Sequence, residues 1–135
     1  MLDGEQYVFK GGSATVVDMS GGTQIVRVSG NGMIETLNGG EQNIMGGGTG
    51  LVSTMNSGSQ VISSSGTGTV DTLNGGTQTV AGGGNGTVST MLGGTQVVSR
   101  SGKGTVNALN GGTQIVSVGG TSLDTVLNSG GTVYL

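Results

Sequence analysis

The ionisable side chains of this sequence are few, and any catalysis would have to rest on them. The chain has seven acidic and four basic residues, and it contains neither histidine nor cysteine. A nucleophile–base pair would therefore need lysines or carboxylates. The acidic residues are scattered along the chain: Asp3, Glu5, Asp18, Glu35, Glu41, Asp71 and Asp124. We predict solvated surface charges that discourage edge-to-edge aggregation, no catalytic residue and no enzymatic activity.

Calcium binding is the metal chemistry that the spacing suggests. The nine-residue motif GGxGxDxUx binds Ca²⁺ in β-rolls, and stretches such as GGNGTVSTM approach its glycines. The chain repeats every 18 residues, and the position of each repeat that would supply the acidic ligand is occupied by Val17, Glu35, Ser53, Asp71, Ser89 and Asn107. Two acidic residues in six repeats cannot build repeated oxygen cages for Ca²⁺, and without cysteine no thiolate site can form. The sequence predicts no metal site.

Phosphate and nucleic-acid binding are also disfavoured. Lys103 follows Gly102 as in a phosphate-binding loop, but Gly104 stands where Ser or Thr belongs and Val97 where the first glycine belongs. The net charge is −3, and the four basic residues form no cluster. Neutralising phosphates needs grouped Lys and Arg. We therefore predict no cofactor site and no nucleic-acid partner, and we interpret the glycine runs as corners of the fold.

An 18-residue repeat dominates the chain. Six units without insertion or deletion fill residues 13–120, from SATVVDMSGGTQIVRVSG to KGTVNALNGGTQIVSVGG. A half-unit at 3–12, DGEQYVFKGG, matches the second half of the repeat, and a last unit at 121–135 has one extra residue before its Gly pair. A fixed short period is typical of a solenoid, in which each unit is one rung of a coil. Residues 1–135 are predicted to form one domain.

Aligning the units gives columns of one residue type. The first apolar column is Val16, Ile34, Val52, Val70, Val88 and Val106. The second, three residues on, is Met19, Leu37, Met55, Leu73, Met91 and Leu109. The third is Val8, Val26, Ile44, Ile62, Val80, Val98, Val116 and Leu135. Two residues before the third lies a glutamine column: Gln6, Gln24, Gln42, Gln60, Gln78, Gln96 and Gln114.

These columns predict an all-β fold. Short apolar segments rich in Val, Ile and Thr and bounded by glycine are typical of strands, and interior glycines disfavour helices. Two strands per unit make one rung of a single-stranded, right-handed parallel β-helix of about seven 18-residue rungs, with the apolar columns inside. The glutamines share a face with the third column. If that face is interior, their amides form a hydrogen-bonded ladder; if it is exterior, the glutamines face solvent.

Threonine columns leave one further interpretation open. Thr23, Thr77, Thr95, Thr113 and Thr132 share a register, and a flat threonine face could order water as ice-binding solenoids do. Such faces usually carry Thr-x-Thr on every rung, and only Thr77-x-Thr79 supplies it in this column. We favour the simpler interpretation that β-branched residues suit a pleated surface.

Residues 111–135, GGTQIVSVGGTSLDTVLNSGGTVYL, resemble the passenger repeats of self-associating autotransporter adhesins, the diffuse-adherence adhesin family of Gram-negative bacteria. Those repeats read approximately GGxQxVxxGGxAxxTxVxxGG, one residue longer than the units here, and the extra residue of the last unit restores that spacing. The resemblance extends over essentially the whole chain. It implies an extracellular β-helical stalk on the bacterial surface that mediates cell–cell adhesion and biofilm, with Ser and Thr hydroxyls that a dedicated transferase modifies with heptose.

The leading hypothesis is thus a structural and adhesive module, either an excised passenger segment or a separate protein with the same coil. The first alternative is a free-standing solenoid that stacks end to end into filaments, and the second is an inert spacer in a larger effector or enzyme. The expected partners are further copies of the chain, end to end or laterally, and a glycosyltransferase; no membrane insertion is expected. We expect both ends to expose an open apolar core, and the initial half-unit to complement what the last unit lacks.

Overall fold

The structure is a computed structural model that describes residues 3–123, 126–128 and 130–135. The described residues form fifteen β-strands and no helix. The strands alternate along the chain between two sheets of eight and seven strands, and neighbours in each sheet are parallel. This confirms the predicted all-β solenoid of about seven 18-residue rungs. No helix that is long and apolar enough to cross a membrane occurs in the described part of the chain.

The two sheets differ in strand length. The glutamine sheet carries the glutamine column and consists of β1 (Glu5–Val8), β3 (Thr23–Arg27), β5 (Glu41–Met45), β7 (Ser59–Ile62), β9 (Thr77–Val80), β11 (Thr95–Val98), β13 (Thr113–Val116) and β15 (Thr132–Tyr134). The long-strand sheet consists of β2 (Ser13–Met19), β4 (Asn31–Leu37), β6 (Thr49–Met55), β8 (Thr67–Leu73), β10 (Asn85–Met91), β12 (Lys103–Leu109) and β14 (Thr121–Leu123).

Equivalent residues of successive units lie directly beside each other. Val52 pairs with Val70 and Gln60 with Gln78, an offset of 18 residues in both sheets. The last pair of the glutamine sheet is the exception, because Thr113 pairs with Thr132, an offset of 19. Leu127 still bridges Leu109 at an offset of 18. The extra residue of the last unit is therefore absorbed between its two strands and leaves the coil intact.

The interior is built from one face of each sheet. On β9 the buried residues alternate with half-buried ones, as expected for a strand with one buried face. On the long strands the pattern changes, since Val70 and Leu73 are both buried with Asp71 and Thr72 between them outside the core. Side chains of a flat strand alternate, so each long strand must depart from a flat pleat at those two residues. This departure brings the first and second apolar columns into the same interior.

All three apolar columns lie inside, except for Leu135 at the end of the third. The first and second form one buried cluster, and the third forms another. Every member from Val26 to Leu109 is fully buried, while Val16 is 8% exposed and Val116, near the end of the coil, is only partly buried. The buried side chains of these columns are aliphatic or methionine, so the apolar core is assembled by stacking like residues from rung to rung.

The corners depend on left-handed backbone. Gly76, in the corner between β8 and β9, has φ +84°, and a Cβ there would lie 2.5 Å from the carbonyl oxygen of Gly58. The other corner uses glycine on some rungs, such as Gly82 at φ 55°, but Val28 and Arg100 take φ 44° and 47° in equivalent positions. Non-glycine residues pay a steric penalty in this region. The coil therefore requires this corner geometry strongly enough to impose it on valine and arginine.

The two ends of the coil do not match the expectation of paired open cores. Val8, in the first strand, is only 3% exposed and Met19 is fully buried, so the core is closed at the N-terminal end of the described coil. At the other end Leu135 is 93% exposed. The expected complementarity of the half-unit is also wrong, because the last unit already supplies both β14 and β15. If the half-unit of a second copy followed the last unit, β1 would come directly after β15. The strand of the long-strand sheet that belongs between them would then be missing.

Candidate functional site

The structure keeps the acidic side chains that it describes apart, and Asp124 lies outside the described residues. Among the described residues, no three His, Cys, Asp or Glu side chains lie close enough to hold a metal ion. Glu5 accepts a hydrogen bond from the Tyr7 hydroxyl at 2.9 Å, and Asp18 accepts one from Nδ2 of Asn38 at 3.0 Å. The hydrogen bond to Glu5, together with its negative charge, raises the pKa of the Tyr7 hydroxyl. Each of these carboxylates thus has a local, neutral partner.

The glutamine column forms a continuous ladder through the interior. The Nε2 atom of each glutamine donates to Oε1 of the glutamine one rung earlier, and all six such distances, from Gln24–Gln6 to Gln114–Gln96, are 2.7 Å. Every glutamine from Gln24 to Gln114 is fully buried, while Gln6 is half-buried. The column therefore faces inward. The buried amides are tolerated there because they hydrogen-bond to one another and need no water.

The ladder is anchored to the opposite sheet by its remaining N–H groups. Gln60 Nε2 also approaches the carbonyl oxygen of Thr69 at 3.3 Å, and Gln78 Nε2 approaches that of Thr87 at the same distance. Each of these two amides thus ties together two rungs and, more weakly, two sheets. All the amides point the same way, so the ladder has a donor end at Gln6 and an acceptor end at Gln114.

A column of small residues makes room for the ladder. It lies in the second position of each long strand and reads Ala14, Gly32, Gly50, Gly68, Gly86, Gly104 and Ser122. A Cβ on Gly50 would lie 2.6 Å from Oε1 of Gln42 and 2.3 Å from Cδ1 of Ile44. Contacts below 3.0 Å of this kind require neighbours to move. These glycines were not singled out from the sequence, although their recurrence every 18 residues is visible there.

The last rung ends the ladder. Val133 occupies the position of the next glutamine, since it pairs with Gln114 across the sheet. Ser122 occupies the glycine position, and its Oγ donates to Oε1 of Gln114 at 2.9 Å. The last acceptor of the ladder is therefore satisfied by a hydroxyl instead of another amide. Ser122 and Val133 thus end the glutamine column, and the interior of the final rung contains no further amide of this ladder.

A second amide column runs along the corner that follows each long strand. Asn56 donates to Asn38 and Asn74 donates to Asn56, both at 2.9 Å, and Asn128 donates to Asn110. Leu92 stands in this column between Asn74 and Asn110 and is 53% exposed. The exposed asparagine ladder is therefore interrupted on one rung. Its recurrence was available in the sequence but was not interpreted.

Exposed apolar side chains occur on the last rung and on the corner before it. Large hydrophobic residues exposed in this region are Val118, Leu123, Val126, Leu127, Tyr134 and Leu135. An open cavity of about 770 Å³ lies here, lined by residues of β13, the corner that follows it, β14 and the last two residues of the chain. This surface is the strongest candidate for a binding site in the described structure.

Comparison with known proteins finds no match: no family profile, no curated protein and no solved structure is significantly similar to this chain.

Proposed function

We propose that this chain is a non-catalytic structural and adhesive module, an extracellular stalk segment of the autotransporter-adhesin type that associates with copies of itself or adheres to a surface. The observation that carries the proposal is the unbroken 18-residue register of the paired strands from Glu5 to Val116. Such a register adds length without changing the cross-section, which is the requirement of a stalk. The resemblance of the repeats to adhesin passengers supports the same proposal.

The contacts between rungs support a stiff stalk. Consecutive rungs are joined by backbone pairing in both sheets and, as far as Gln114, by one glutamine hydrogen bond of 2.7 Å. In a solenoid each rung contacts chiefly its neighbours, so stiffness is built from these repeated interfaces. At about 4.8 Å per rung, seven rungs span roughly 34 Å. A stack of this kind holds whatever it carries at a fixed distance from the surface to which it is attached.

The outer face of the long-strand sheet offers hydroxyl groups for modification. Thr49, Thr67 and Thr121 are exposed at the first position of their strands, next to residues of the small column. Because neighbouring side chains on a strand point to opposite faces, these hydroxyls point away from the interior. We include them in the proposal as acceptors for O-linked heptose. Co-expression with a bacterial heptosyltransferase and intact-mass analysis should show modified protein, and Thr67→Val should remove one increment if Thr67 is an acceptor.

Bead aggregation tests the adhesive proposal directly. Beads that carry the chain at one density should clump with each other, and an excess of the free chain should suppress the clumping, because soluble copies occupy the same surfaces. Beads carrying an unrelated β-solenoid of similar charge are the control for non-specific contact. Clumping that free chain does not suppress, or no clumping beyond the control, would contradict a homotypic adhesive role.

A further inference from the structure

The asparagine column places the same short sequence in three equivalent corners. Asn38, Asn74 and Asn110 each lie in the sequence Leu-Asn-Gly-Gly, directly after a long strand, and all three are exposed. Asparagine is a thermolabile residue, and it deamidates most readily before glycine, because glycine has no side chain to hinder attack by its backbone nitrogen. The repeat therefore creates the same chemical reactivity at three places in the coil.

The coil keeps glycine next to these asparagines. A Cβ on Gly39 would lie 2.3 Å from the carbonyl oxygen of Ser20, and a Cβ on Gly111 would lie 2.4 Å from that of Leu92. These oxygens belong to the backbone of the preceding rung, so rotation of a side chain cannot relieve the contact. The reactive pair is thus a consequence of how closely consecutive rungs approach each other at this corner.

The backbone hydrogen bonds of the three corners are alike. In each corner the N–H groups of the asparagine and of the following glycine donate to one carbonyl oxygen of the preceding rung, and the glycine bond is the longer. The glycine distances are 3.2 Å for Gly39, 3.3 Å for Gly75 and 3.1 Å for Gly111. The attacking nitrogen is therefore held to a similar degree at all three sites, and the backbone does not favour reaction at Gly111.

The side-chain amides of the first two sites are held by the preceding rung. Nδ2 of Asn38 donates to Oδ1 of Asp18 at 3.0 Å, and Nδ2 of Asn74 donates to Oδ1 of Asn56 at 2.9 Å. Deamidation releases Nδ2 as ammonia while the side-chain carbon bonds to the glycine nitrogen. The hydrogen bond of Nδ2 has to break before the reaction can proceed, so the ladder should slow it.

The amide of Asn110 lacks this bond. Leu92 occupies the column position on the preceding rung and has no acceptor in its side chain. Asn110 accepts a hydrogen bond from Asn128 through Oδ1, but its Nδ2 has no partner among the residues that the structure describes. The leaving group is therefore free at this site and held at the two equivalent ones.

We propose that Asn110–Gly111 is a site of spontaneous deamidation and that the asparagine ladder protects the equivalent sites at Asn38 and Asn74. The backbone nitrogen of Gly111 forms a bond to Cγ of Asn110, and its proton passes through solvent to Nδ2, which leaves as ammonia. Water then opens the succinimide at either carbonyl and gives an aspartyl or an isoaspartyl residue. Either product adds one negative charge at an exposed corner of a chain whose net charge is −3.

Ageing of the folded chain at mildly alkaline pH, followed by peptide mapping with mass spectrometry, tests the proposal. Deamidation at Asn110 should be about two- to tenfold faster than at Asn38 or Asn74, the ratio expected for one hydrogen bond. In guanidinium chloride the three sites should react at similar rates, because their flanking residues are identical from the leucine to the second glycine. Equal rates in the folded chain, or no conversion at Asn110, would overturn the proposal.

Two further Asn-Gly pairs serve as internal controls. Asn31–Gly32 and Asn85–Gly86 begin long strands, and both residues of each pair lie in register with strands on either side. Cyclisation there would disrupt sheet pairing, so these pairs should be the slowest in the folded chain. Reaction at Asn85 as fast as at Asn110 would mean that the chain deamidates only after the coil unfolds, which would overturn the assignment to the folded corner.

Substitution of Leu92 tests whether the missing hydrogen bond is the cause. Leu92→Asn supplies an acceptor for Nδ2 of Asn110 and should lower the rate there to that at Asn74. Leu92→Ala removes the leucine side chain without supplying an acceptor and should leave the rate at Asn110 equal to the parent's or higher. The peptide map resolves the Asn-Gly pair that Leu92→Asn creates with Gly93. Equal slowing by both variants, or no slowing by Leu92→Asn, would contradict protection by the ladder.

Discussion

Gly68 and Gln60 face each other across the interior so closely that a Cβ on Gly68 would lie 2.9 Å from Oε1 of Gln60 and 2.4 Å from Cδ1 of Ile62. Gly68 is buried, and its backbone is not in the left-handed region. On backbone entropy alone, alanine would be stabilising here. In this structure we expect the opposite change in stability, because the added methyl group has no free space.

We therefore predict that Gly68→Ala destabilises the fold by about 1–3 kcal/mol, the usual range for overpacking. Chemical denaturation followed by circular dichroism measures it. Ala14→Gly is the matched control, since Ala14 holds the same position opposite the half-buried Gln6 and should lose only the backbone-entropy difference of about 0.4–1 kcal/mol. A Gly68→Ala protein as stable as the parent would mean that the column does not serve to accommodate the ladder.

The position of a glutamine in the ladder should decide the effect of losing it. Gln60 donates to Gln42 and accepts from Gln78, and it is fully buried. Gln6 accepts from Gln24 and is half-buried. Replacing Gln60 leaves Oε1 of Gln42 unpaired in the interior, which costs about 1–3 kcal/mol, and leaves Nε2 of Gln78 with only its longer bond to Thr87. Gln60→Leu should therefore lower the Tm clearly more than Gln6→Leu. Equal shifts in thermal melts would indicate that the glutamines act independently in solvent.

The repeat pattern predicts the columns well because a stacked coil places one residue type in one environment. Val70 and Gln60 could be assigned to the interior from spacing and chemistry, although the glutamines had an exterior alternative. The role of Gly68 could not be distinguished from that of the corner glycines, because a glycine in the sequence is equally consistent with a turn and with a side chain packed closely against the backbone. Asn56 recurs as regularly as Gln60 and was overlooked, since an exposed ladder needs no buried partner to explain it.

The ends of the coil could not be predicted from the columns. Val8 and Leu135 belong to the same column and are 3% and 93% exposed. Their burial depends on what lies above or below the rung, and a residue type does not specify that. The closing of the ladder by Ser122 and Val133 is likewise visible only when the pairing across the last rung is known.

A buried charge tests the assignment of the first apolar column. Val70 is fully buried among like residues, and β8 carries the exposed Thr67 on the opposite face. Val70→Asp places an unpaired charge in the core, a change that costs several kcal/mol, and we expect it to abolish folding. Thr67→Asp introduces the same charge on the same strand and should leave the far-ultraviolet circular dichroism and the Tm nearly unchanged. A soluble, fully β-structured Val70→Asp protein would contradict the column assignment.

Repair of the asparagine column provides a prediction of increased stability. Leu92 separates Asn74 from Asn110 in a column in which Asn74 donates to Asn56 at 2.9 Å, and its side chain is 53% exposed, so little burial is lost when it is replaced. Leu92→Asn supplies an acceptor for Nδ2 of Asn110 and a donor for Oδ1 of Asn74. Each bond contributes about 0.5 kcal/mol, the low end for exposed groups, so the Tm should rise by on the order of 2–5 °C. The reciprocal variant Asn56→Leu breaks the bonds to Asn38 and Asn74 and should lower the Tm by a similar amount. Differential scanning calorimetry of both variants measures the two shifts. A lower Tm in Leu92→Asn would show that the contacts of Leu92 stabilise the fold more than the two hydrogen bonds that replace them.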